Sequence, residues 1–431
     1  MKKAGLIVGL WLLAVAAAVV FMQFPRWVEE SQYIQACRDL ENGHYESAVG
    51  QFEELGDYKD SEEKRLEAKY RFAVSLAAGG YYERTLAVCA ELEKEGTYAE
   101  ALCPVYYDLA SVLQERAEVT RAAIAFGKAG DYQNAREQSL TLWKTIARRD
   151  TISVNVNAIA IRNDGTMIAS TPFLQEQLAD WTDIVDIAYC GSRCMFVGLR
   201  ADGTVLTQFS KADLPLQYTS TGELLAEKVK TWSDIVSISA SYYDIYGLRS
   251  DGTIISTDPS FRHVEPSNIV EMHATRSFVM GLRIDGTVWC WQDTGVAPIY
   301  EEETEIISTA LYKISEWEDI VQLEVSDVRV LGVKADGTVV AIGKEEDKQC
   351  MVWAWREFGY KIVSVETDYD WTFALREDGT VLKTSCEVIA EDVVTMTCVD
   401  SNMFCWGKDG TVRQLYGFPV FPGVTDIRPP Q

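Results

Sequence analysis

Residue patterns that would mark an enzyme are missing from this chain of 431 residues. It has no His-Glu-x-x-His, no Gly-x-Ser-x-Gly and no glycine-rich phosphate loop followed by lysine, the arrangements that bind zinc, activate a serine or hold a nucleotide. The histidines, His44, His263 and His273, do not lie at ligand spacing from a cysteine pair. The sequence therefore predicts no catalytic residue, cofactor or metal site, and a protein that is not an enzyme.

Carboxylates are the one reactive group that is plentiful, with 65 Asp and Glu against 40 Lys and Arg. Two carboxyl groups at a suitable separation in the fold could hydrolyse a glycoside, so a glycoside hydrolase stays open as a lesser alternative. The net charge of −25 repels polyanions, because phosphate binding needs clustered Lys and Arg. Nucleic acid is therefore excluded as a partner.

Residues 150–431 are built from a repeat centred on Asp-Gly-Thr, which occurs seven times at intervals of 31 to 51 residues. Asp-Gly between two apolar runs predicts the centre of a tight β-hairpin, since glycine adopts positive φ without a Cβ clash and Asp tolerates it. The triplets begin at Asp164, Asp202, Asp251, Asp285, Asp336, Asp378 and Asp409. Repeats of this length and type predict an all-β propeller with seven blades.

A second element, Trp-x-Asp-Ile-Val or a shorter Ile-Val form, precedes each hairpin from the second repeat onward. These elements are predicted to be strands buried on both faces. The chain ends with Gly423-Val-Thr-Asp-Ile427, which is the same element without a hairpin after it. We expect residues 423 to 427 to pair with the first blade and close the ring, because closure removes exposed sheet edges.

The run Ala374-Leu-Arg-Glu-Asp-Gly-Thr-Val381, preceded by an Ile-Val strand, resembles the RCC1-type repeat in its bacterial form, and the resemblance extends over residues 150–431. It implies a seven-bladed RCC1-like β-propeller. The analogy to secreted bacterial propellers of this type implies binding of a protein partner through aromatic-rich loops.

Candidate binding residues lie in the loops between each Ile-Val strand and its hairpin, which the repeat symmetry should gather on one face. Aromatic residues are common at interface hot spots, although such rings can also simply cap the blades. Because sugar sites stack aromatic rings beside carboxylates, a cell-wall glycan is the alternative to a protein partner. The predicted partner-binding residues are Tyr189, Tyr242, Tyr243, Asp244, Asp327, Tyr369, Asp370, Trp371 and Asp400.

Residues 28–149 contain Gly-x-Tyr five times, each at a break in amphipathic helical spacing. Glycine ends one helix and the apolar spacing then resumes. The run Gly43-x-Tyr45-x-x-Ala48-x-x-x-Phe52 resembles the second helix of a tetratricopeptide repeat. An all-α, tetratricopeptide-like region is therefore predicted, serving either as a spacer or as a concave binding surface.

The N-terminus combines Lys2 and Lys3 with an uninterrupted apolar run over residues 4–22. A helix of that length spans roughly 28 Å, about the thickness of the hydrocarbon core. The lysines on its N-terminal side orient that end to the cytoplasm. Residues 1–27 are therefore predicted to be a single-pass transmembrane signal anchor with the rest of the chain extracytoplasmic. A cleaved signal peptide is the alternative, because residues 14–18 are rich in alanine.

The ten cysteines leave two possibilities open. In an oxidising compartment some could form disulfides, whereas cysteines in propeller strands could equally be buried thiols. Together the patterns predict a membrane-anchored, non-enzymatic binding or scaffold protein that presents its propeller at the cell surface.

The anchor interpretation is tested by mass spectrometry of the mature N-terminus. An anchor leaves residues 4–22 in the protein purified from membranes, and their peptides are recovered. A mature chain that begins near residue 19 would instead show a cleaved signal peptide.

Overall fold

The structure is a computed structural model that describes residues 27–96, 98–155, 157–191, 194–210, 216–263, 266–292, 301–343, 350–367, 371–399, 401–417 and 419–431. The chain divides into two compact units, Met1–Glu118 and Val119–Gln431. The predicted anchor, residues 4–22, lies outside the described residues. In the part of the chain that is described, no helix is both long enough and apolar enough to cross a bilayer.

The described part of the first unit is helical. Its helices are α1 at residues 27–41, α2 Tyr45–Leu55, α3 Ser61–Ala78, α4 Tyr82–Lys94 and α5 Ala99–Glu115. The glycines between successive helices, Gly43, Gly56, Gly80 and Gly96, have φ between +52° and +81°. Side chains with a Cβ disfavour this conformation, so glycine is the residue that ends a helix here. The prediction that Gly-x-Tyr marks helix breaks is confirmed.

Helix α2 packs on its neighbours through the apolar positions that the spacing predicts. Ala48 and Phe52 are fully buried and share a cluster with Ala36, Leu40 and Ala68 of the flanking helices. The small alanines allow close approach of the helices, and the Phe52 ring fills the space between them.

The second unit begins with two helices, α6 Val119–Ala129 and α7 Ala135–Ile146, followed by seven antiparallel sheets. We call the sheets blades 1 to 7. Blade 1 contains β1 Ile152–Val154, β2 Ala158–Ile161 and β3 Met167–Ala169; blade 2 contains β4 Ile184–Cys190, β5 Met195–Arg200 and β6 Val205–Phe209; blade 3 contains β7 Ile235–Ala240, β8 Ile245–Arg249 and β9 Ile254–Ser256; and blade 4 contains β10 Ile269–Ala274, β11 Phe278–Arg283 and β12 Val288–Gln292. Blade 5 contains β13 Ile320–Val325, β14 Arg329–Lys334 and β15 Val339–Gly343; blade 6 contains β16 Ile362–Thr367, β17 Thr372–Arg376, β18 Val381–Lys383 and β19 Val388–Ala390; and blade 7 contains β20 Val393–Val399, β21 Asn402–Gly407 and β22 Val412–Tyr416. The connections between blades contain helices and a 3₁₀ turn. These are α8 Pro172–Gln177, α9 Leu216–Val229, α10 Glu301–Ile314, α11 Trp353–Glu357 and the 3₁₀ turn Pro259–His263.

The seven sheets form a closed ring. The first strand of each sheet packs against the first strand of the next, and β1 packs against both β4 and β20. These first strands are therefore innermost, and the unit is a seven-bladed β-propeller, as the repeat predicts. Although the sequence groups α6 and α7 with the helical region, they belong to the same compact unit as the blades.

Each Asp-Gly-Thr triplet stabilises a hairpin between the second and third strands of a blade. In all seven, an Asp Oδ1 accepts a hydrogen bond from the Thr backbone N–H at 2.8–3.0 Å. The turn is displaced by one residue from the predicted Asp-Gly centre. In blade 1 the Gly165 N–H donates to the Arg162 carbonyl, so Gly165 is the last residue of the turn, and it alone takes positive φ. The geometry matches a hairpin with a glycine bulge.

The Asp of Trp-x-Asp-Ile-Val has a conformational role. Asp183, Asp234 and Asp319 have φ of 58° to 62°, as do Asn268 and Asp392 at the equivalent places in blades 4 and 7. Asp and Asn tolerate this left-handed conformation better than other residues with a Cβ. The residue turns the chain into the innermost strand, whose register then shifts by a β-bulge at the following Val in blades 2 to 7.

The two ends of the second unit meet in blade 1. Ile427 forms an antiparallel bridge with Arg162, and the Asn163 N–H donates to the Asp426 carbonyl. In blade 2 the same contacts are made by Ile184 and Asp183. The innermost strand of blade 1 is therefore begun by the chain terminus and continued by β1, which confirms the predicted closure.

Closure of the ring should contribute measurably to stability. Ile427 is fully buried, and truncating a buried isoleucine costs about 2 to 5 kcal/mol. We expect Ile427→Ala, or deletion of residues 420–431, to lower the melting temperature by several degrees. Val388→Ala, at a residue that is 52% exposed, is the matched control and should have almost no effect. An unchanged melting temperature in the truncated chain would contradict the closure.

Candidate functional site

The two faces of the propeller are chemically different. The Asp-Gly-Thr turns lie on one face, here called the hairpin face, where the Trp143 indole N–H donates to the Ser250 carbonyl at 2.8 Å and Arg136 pairs with Asp234 at 2.8 Å. Helices α6 and α7 therefore cover part of this face. The loops that follow the innermost strands lie at the opposite ends of those strands, on what we call the loop face. The predicted binding residues belong to these loops.

On the loop face, Tyr242 and Tyr243 pack against Arg276. The guanidinium lies 4.4 Å from the centre of the Tyr242 ring and 5.4 Å from that of Tyr243. Gly191 lies against the Tyr242 ring, where a Cβ would come within 2.7 Å of a ring carbon. The Arg276 backbone N–H donates to Asp327 Oδ1 at 2.9 Å. Contacts therefore run continuously from blade 2 to blade 5.

A second aromatic group joins blades 5 to 7. The ammonium group of Lys383 lies 4.3 Å from the Trp371 ring centre and 4.5 Å from that of Tyr416. The Trp371 carbonyl accepts a hydrogen bond from Thr367 at 3.1 Å and one from the buried Arg329 at 3.4 Å. Cation–π contacts of this kind contribute about 0.5 to 2 kcal/mol. They hold the rings in fixed positions while Tyr242 and Trp371 each stay 40% exposed.

Two of the predicted binding residues have structural roles. Tyr189 is partly buried with its ring 4.9 Å from that of Phe196, and its burial raises the pKa of its hydroxyl to about 12. Asp244 accepts a hydrogen bond from Thr257 at 2.8 Å and thereby joins two strands of one blade. For these two residues, the alternative that loop residues cap the blades fits the structure.

Tyr369, Asp370 and Asp400 lie outside the described residues. The structure adds Arg276, Lys383 and Tyr416 to the candidate surface. Arg276 occupies the same loop of the repeat as Tyr242, so the repeat alignment contained a signal for it. Lys383 and Tyr416 come from the third strands of their blades. Lys383 pairs with Phe373 in the hairpin of blade 6, which places it near Trp371, whereas Tyr416 reaches Trp371 from the neighbouring blade 7.

The axis of the propeller is filled by Arg148, in the segment that joins α7 to the first blade. Its guanidinium donates to Glu271 at 2.8 Å, to Glu324 at 2.6 Å and to Glu366 at 2.8 Å, and also to the Leu323 carbonyl at 2.7 Å. The three carboxylates come from blades 4, 5 and 6, and each side chain is at most 9% exposed. One guanidinium thus bonds to three blades at once.

Side chains next to the axis also bond from one blade to the next. Asp186 accepts the Ile238 N–H at 2.8 Å, and Gln322 accepts the Val365 N–H at 2.9 Å. Ser239 accepts the Ala274 N–H at 2.9 Å, and Glu366 accepts the Cys398 N–H at 3.1 Å. These bonds satisfy backbone groups of the innermost strands, which would otherwise be buried without a partner.

The pKa values of the carboxyl groups near the axis shift in different directions. Burial raises the pKa of Glu366 to about 7, against the opposing effect of Arg148, and burial also raises the pKa of Asp186 to about 7. For Glu271, burial acts in the same direction, but Arg148 and His273 outweigh it and its pKa lies below the usual value. Burial by itself would lower the pKa of Arg148, but the surrounding carboxylates outweigh burial, and the pKa lies well above its usual value. The cluster therefore retains its cation.

Other chemistry is limited in the part of the chain that the structure describes. No group of three or more His, Cys, Asp and Glu side chains is arranged to hold a metal ion among those residues. Cys290 and Cys405 are thiols, and burial raises the pKa of each to about 12, so neither is a reactive thiolate at neutral pH.

No protein-family model matches the sequence, and no curated protein resembles it significantly. Among solved structures, yeast RCC1 (Prp20) bound to Kap60 is similar at a TM-score of 0.40 and 12% identity, covering 67% of this chain and 85% of that chain. The CRINKLY WD40 ectodomain of the Arabidopsis thaliana receptor kinase ACR4 has a TM-score of 0.43 and 12% identity, covering 66% and 99%. The WD40 β-propeller domain of Doa1 has a TM-score of 0.35 and 10% identity, covering 63% and 94%. The propeller assignment rests on the sheets of this chain itself.

The axial cluster should make stability depend on pH. A carboxyl group whose pKa rises on folding stabilises the fold most at pH values below its unfolded pKa of about 4.3, and that contribution is lost as the pH rises toward 7. We therefore expect the melting temperature to fall between pH 5 and pH 7.5, and to fall less steeply in Glu366→Gln. Differential scanning fluorimetry measures both slopes. Glu377→Gln, at an exposed carboxylate on blade 6, is the control; equal slopes in the wild type and in Glu366→Gln would contradict this assignment.

Proposed function

We propose that this chain is a non-enzymatic binding protein whose loop face captures a protein partner. The observation that carries the proposal is two groups of fixed, partly exposed rings and cations on the loop face: Tyr242, Tyr243 and Arg276 on blades 3 and 4, and Trp371 and Lys383 on blade 6. Tyr, Trp and Arg dominate the hot spots of protein interfaces because they combine large contact area with directional polar groups. Rings held in place before binding lose little conformational entropy on association.

The stacking of these rings favours a protein over a glycan. Arg276 lies against Tyr242, and Gly191 also packs against that ring. Lys383 covers one face of Trp371 at 4.3 Å. A sugar ring that stacked on these faces would have to displace a cation, whereas a partner carboxylate or carbonyl could bond to the cations without disturbing the stacks.

The axial carboxylates give little support to a glycoside hydrolase. Glu271, Glu324 and Glu366 are buried and bonded to the same guanidinium. A hydrolase needs two carboxyl groups on either side of an accessible glycosidic bond. The proposal is therefore a binding protein without enzyme activity.

The cellular setting is proposed from the sequence. The apolar run at residues 4–22 and the lysines before it support a single-pass membrane anchor with the propeller outside the cytoplasm. The helical region lies between anchor and propeller in the chain and would act as a spacer. The function proposed is thus a membrane-anchored, extracytoplasmic scaffold.

The loop face is tested with the triple variant Tyr242→Ala, Arg276→Ala and Trp371→Ala of the full-length protein. Quantitative mass spectrometry of affinity purifications from membranes of the producing cells should show specific partner proteins depleted about tenfold or more, the loss expected when hot-spot residues are removed. Sedimentation with purified cell-wall polysaccharide should be unaffected.

Tyr312→Ala and Phe358→Ala provide the control, because these residues are 60% and 64% exposed but lie in connections that lead back to the hairpin face. Unchanged partner recovery in the triple variant would refute the loop face. Loss of polysaccharide binding instead would support the glycan alternative.

A further inference from the structure

The hairpin face carries a ring of valines at equivalent positions. Blades 2 to 7 each have a Val at the bulge of the innermost strand, directly after the first residue of that strand: Val185, Val236, Val270, Val321, Val363 and Val394. The bulge leaves this residue outside the ladder of the sheet. Its side chain is therefore available to whatever lies on the hairpin face.

Two of the six valines are covered by the chain itself. Val236 is 1% exposed and Val270 is partly buried. Both belong to the hydrophobic cluster that contains Leu140, Trp143 and Ile146 of α7. An amphipathic helix thus already packs on the valines of blades 3 and 4.

Three of the six valines are exposed. Val321, Val363 and Val394, which we call the valine arc, are 56%, 45% and 57% exposed. They lie on three adjacent blades, since β13 packs against β16 and β16 against β20. An apolar group of this kind on neighbouring elements is typical of an interaction site, and here it continues the surface that α7 already covers.

Charge indicates the kind of helix that would fit. Beside the covered valines, Arg136 at the start of α7 lies 2.8 Å from Asp234. Asp319 and Asp392 occupy the position of Asp234 in blades 5 and 7, with the same left-handed backbone. Both are exposed, as are the preceding Glu318 and Glu391. Lys408 lies 3.6 Å from Asp392 and Lys361 precedes the Ile of blade 6, so acidic groups still outnumber basic ones beside the arc.

We propose that the valine arc is a second docking surface, which binds a basic amphipathic helix of a partner protein. The helix would place its apolar side on Val321, Val363 and Val394 and its Arg or Lys side chains beside Asp319 and Asp392, in the way that α7 uses Arg136. The surface lies on the opposite face from the loop-face residues. One propeller could therefore hold two partners at the same time.

The test places the photo-crosslinker benzoylphenylalanine at position 363 of the full-length protein, in the cells that produce it. The expected result is an adduct with a second protein whose crosslinked peptide, identified by mass spectrometry, belongs to an amphipathic segment rich in Arg and Lys. Absence of an adduct, an adduct with another copy of this chain, or an adduct with a segment that is not basic would each overturn the proposal.

Two matched variants separate the proposed contacts from general adhesion. Asp319→Asn with Asp392→Asn removes the charges while keeping the backbone, because Asn268 holds this position in blade 4 with the same φ; adduct yield should fall about tenfold. The crosslinker at position 388, an exposed valine at the start of the fourth strand of blade 6, should give no such adduct. The loop-face triple variant should leave the yield at position 363 unchanged, which distinguishes failure of this proposal from failure of the loop face.

Discussion

Arg148 is the residue on which the organisation of the propeller depends. Its guanidinium bonds to carboxylates of three blades at distances of 2.6 to 2.8 Å. Removing one partner from a buried ionic cluster costs about 3 to 5 kcal/mol, because the remaining charges lose their compensation. The carboxylates require a cation at the axis, and the cation is delivered by the segment after α7. The hairpin of α6 and α7 is thereby tied to the ring at both Trp143 and Arg148.

This arrangement also explains how seven similar blades form one closed unit. In blades 2 to 7, a bulge follows the first residue of the inner strand, and polar side chains directly after the bulge, such as Asp186 and Gln322, bond to the neighbouring blade. The chain terminus supplies Asp426 and Ile427 to blade 1, where they repeat the contacts of Asp183 and Ile184. Closure therefore repeats within blade 1 the pairing that begins the innermost strand of blade 2, and it supplies the first residues of the innermost strand of blade 1.

The repeated residues stabilise the fold, whereas the proposed binding residues lie where the repeats differ. The Asp-Gly-Thr turns bond internally in every blade, so they serve the fold. Tyr242, Arg276 and Trp371 occur in loops that differ from blade to blade, and each has a partner that fixes its position. The valine arc differs in another sense, because the same residue type is covered in some blades and exposed in others. Both proposed binding surfaces therefore consist of residues whose type or exposure differs from blade to blade.

The sequence by itself determined the number of blades, the hairpins and the Ile-Val inner strands, because turn geometry and strand burial act over a few residues and recur seven times. It also indicated closure by residues 423–427 and assigned Tyr242, Tyr243 and Trp371 to loops, where Tyr242 and Trp371 are each 40% exposed. Tertiary structure alone decided that Arg148 lies at the axis, because its partners are 123 to 218 residues away in the chain. It likewise decided that Tyr416 of blade 7 lies beside Trp371 and Lys383 of blade 6, and that α6 and α7 belong with the blades. The contacts of Arg148 and Tyr416 join different blades of a closed ring, a long-range arrangement that no local pattern of residues contains.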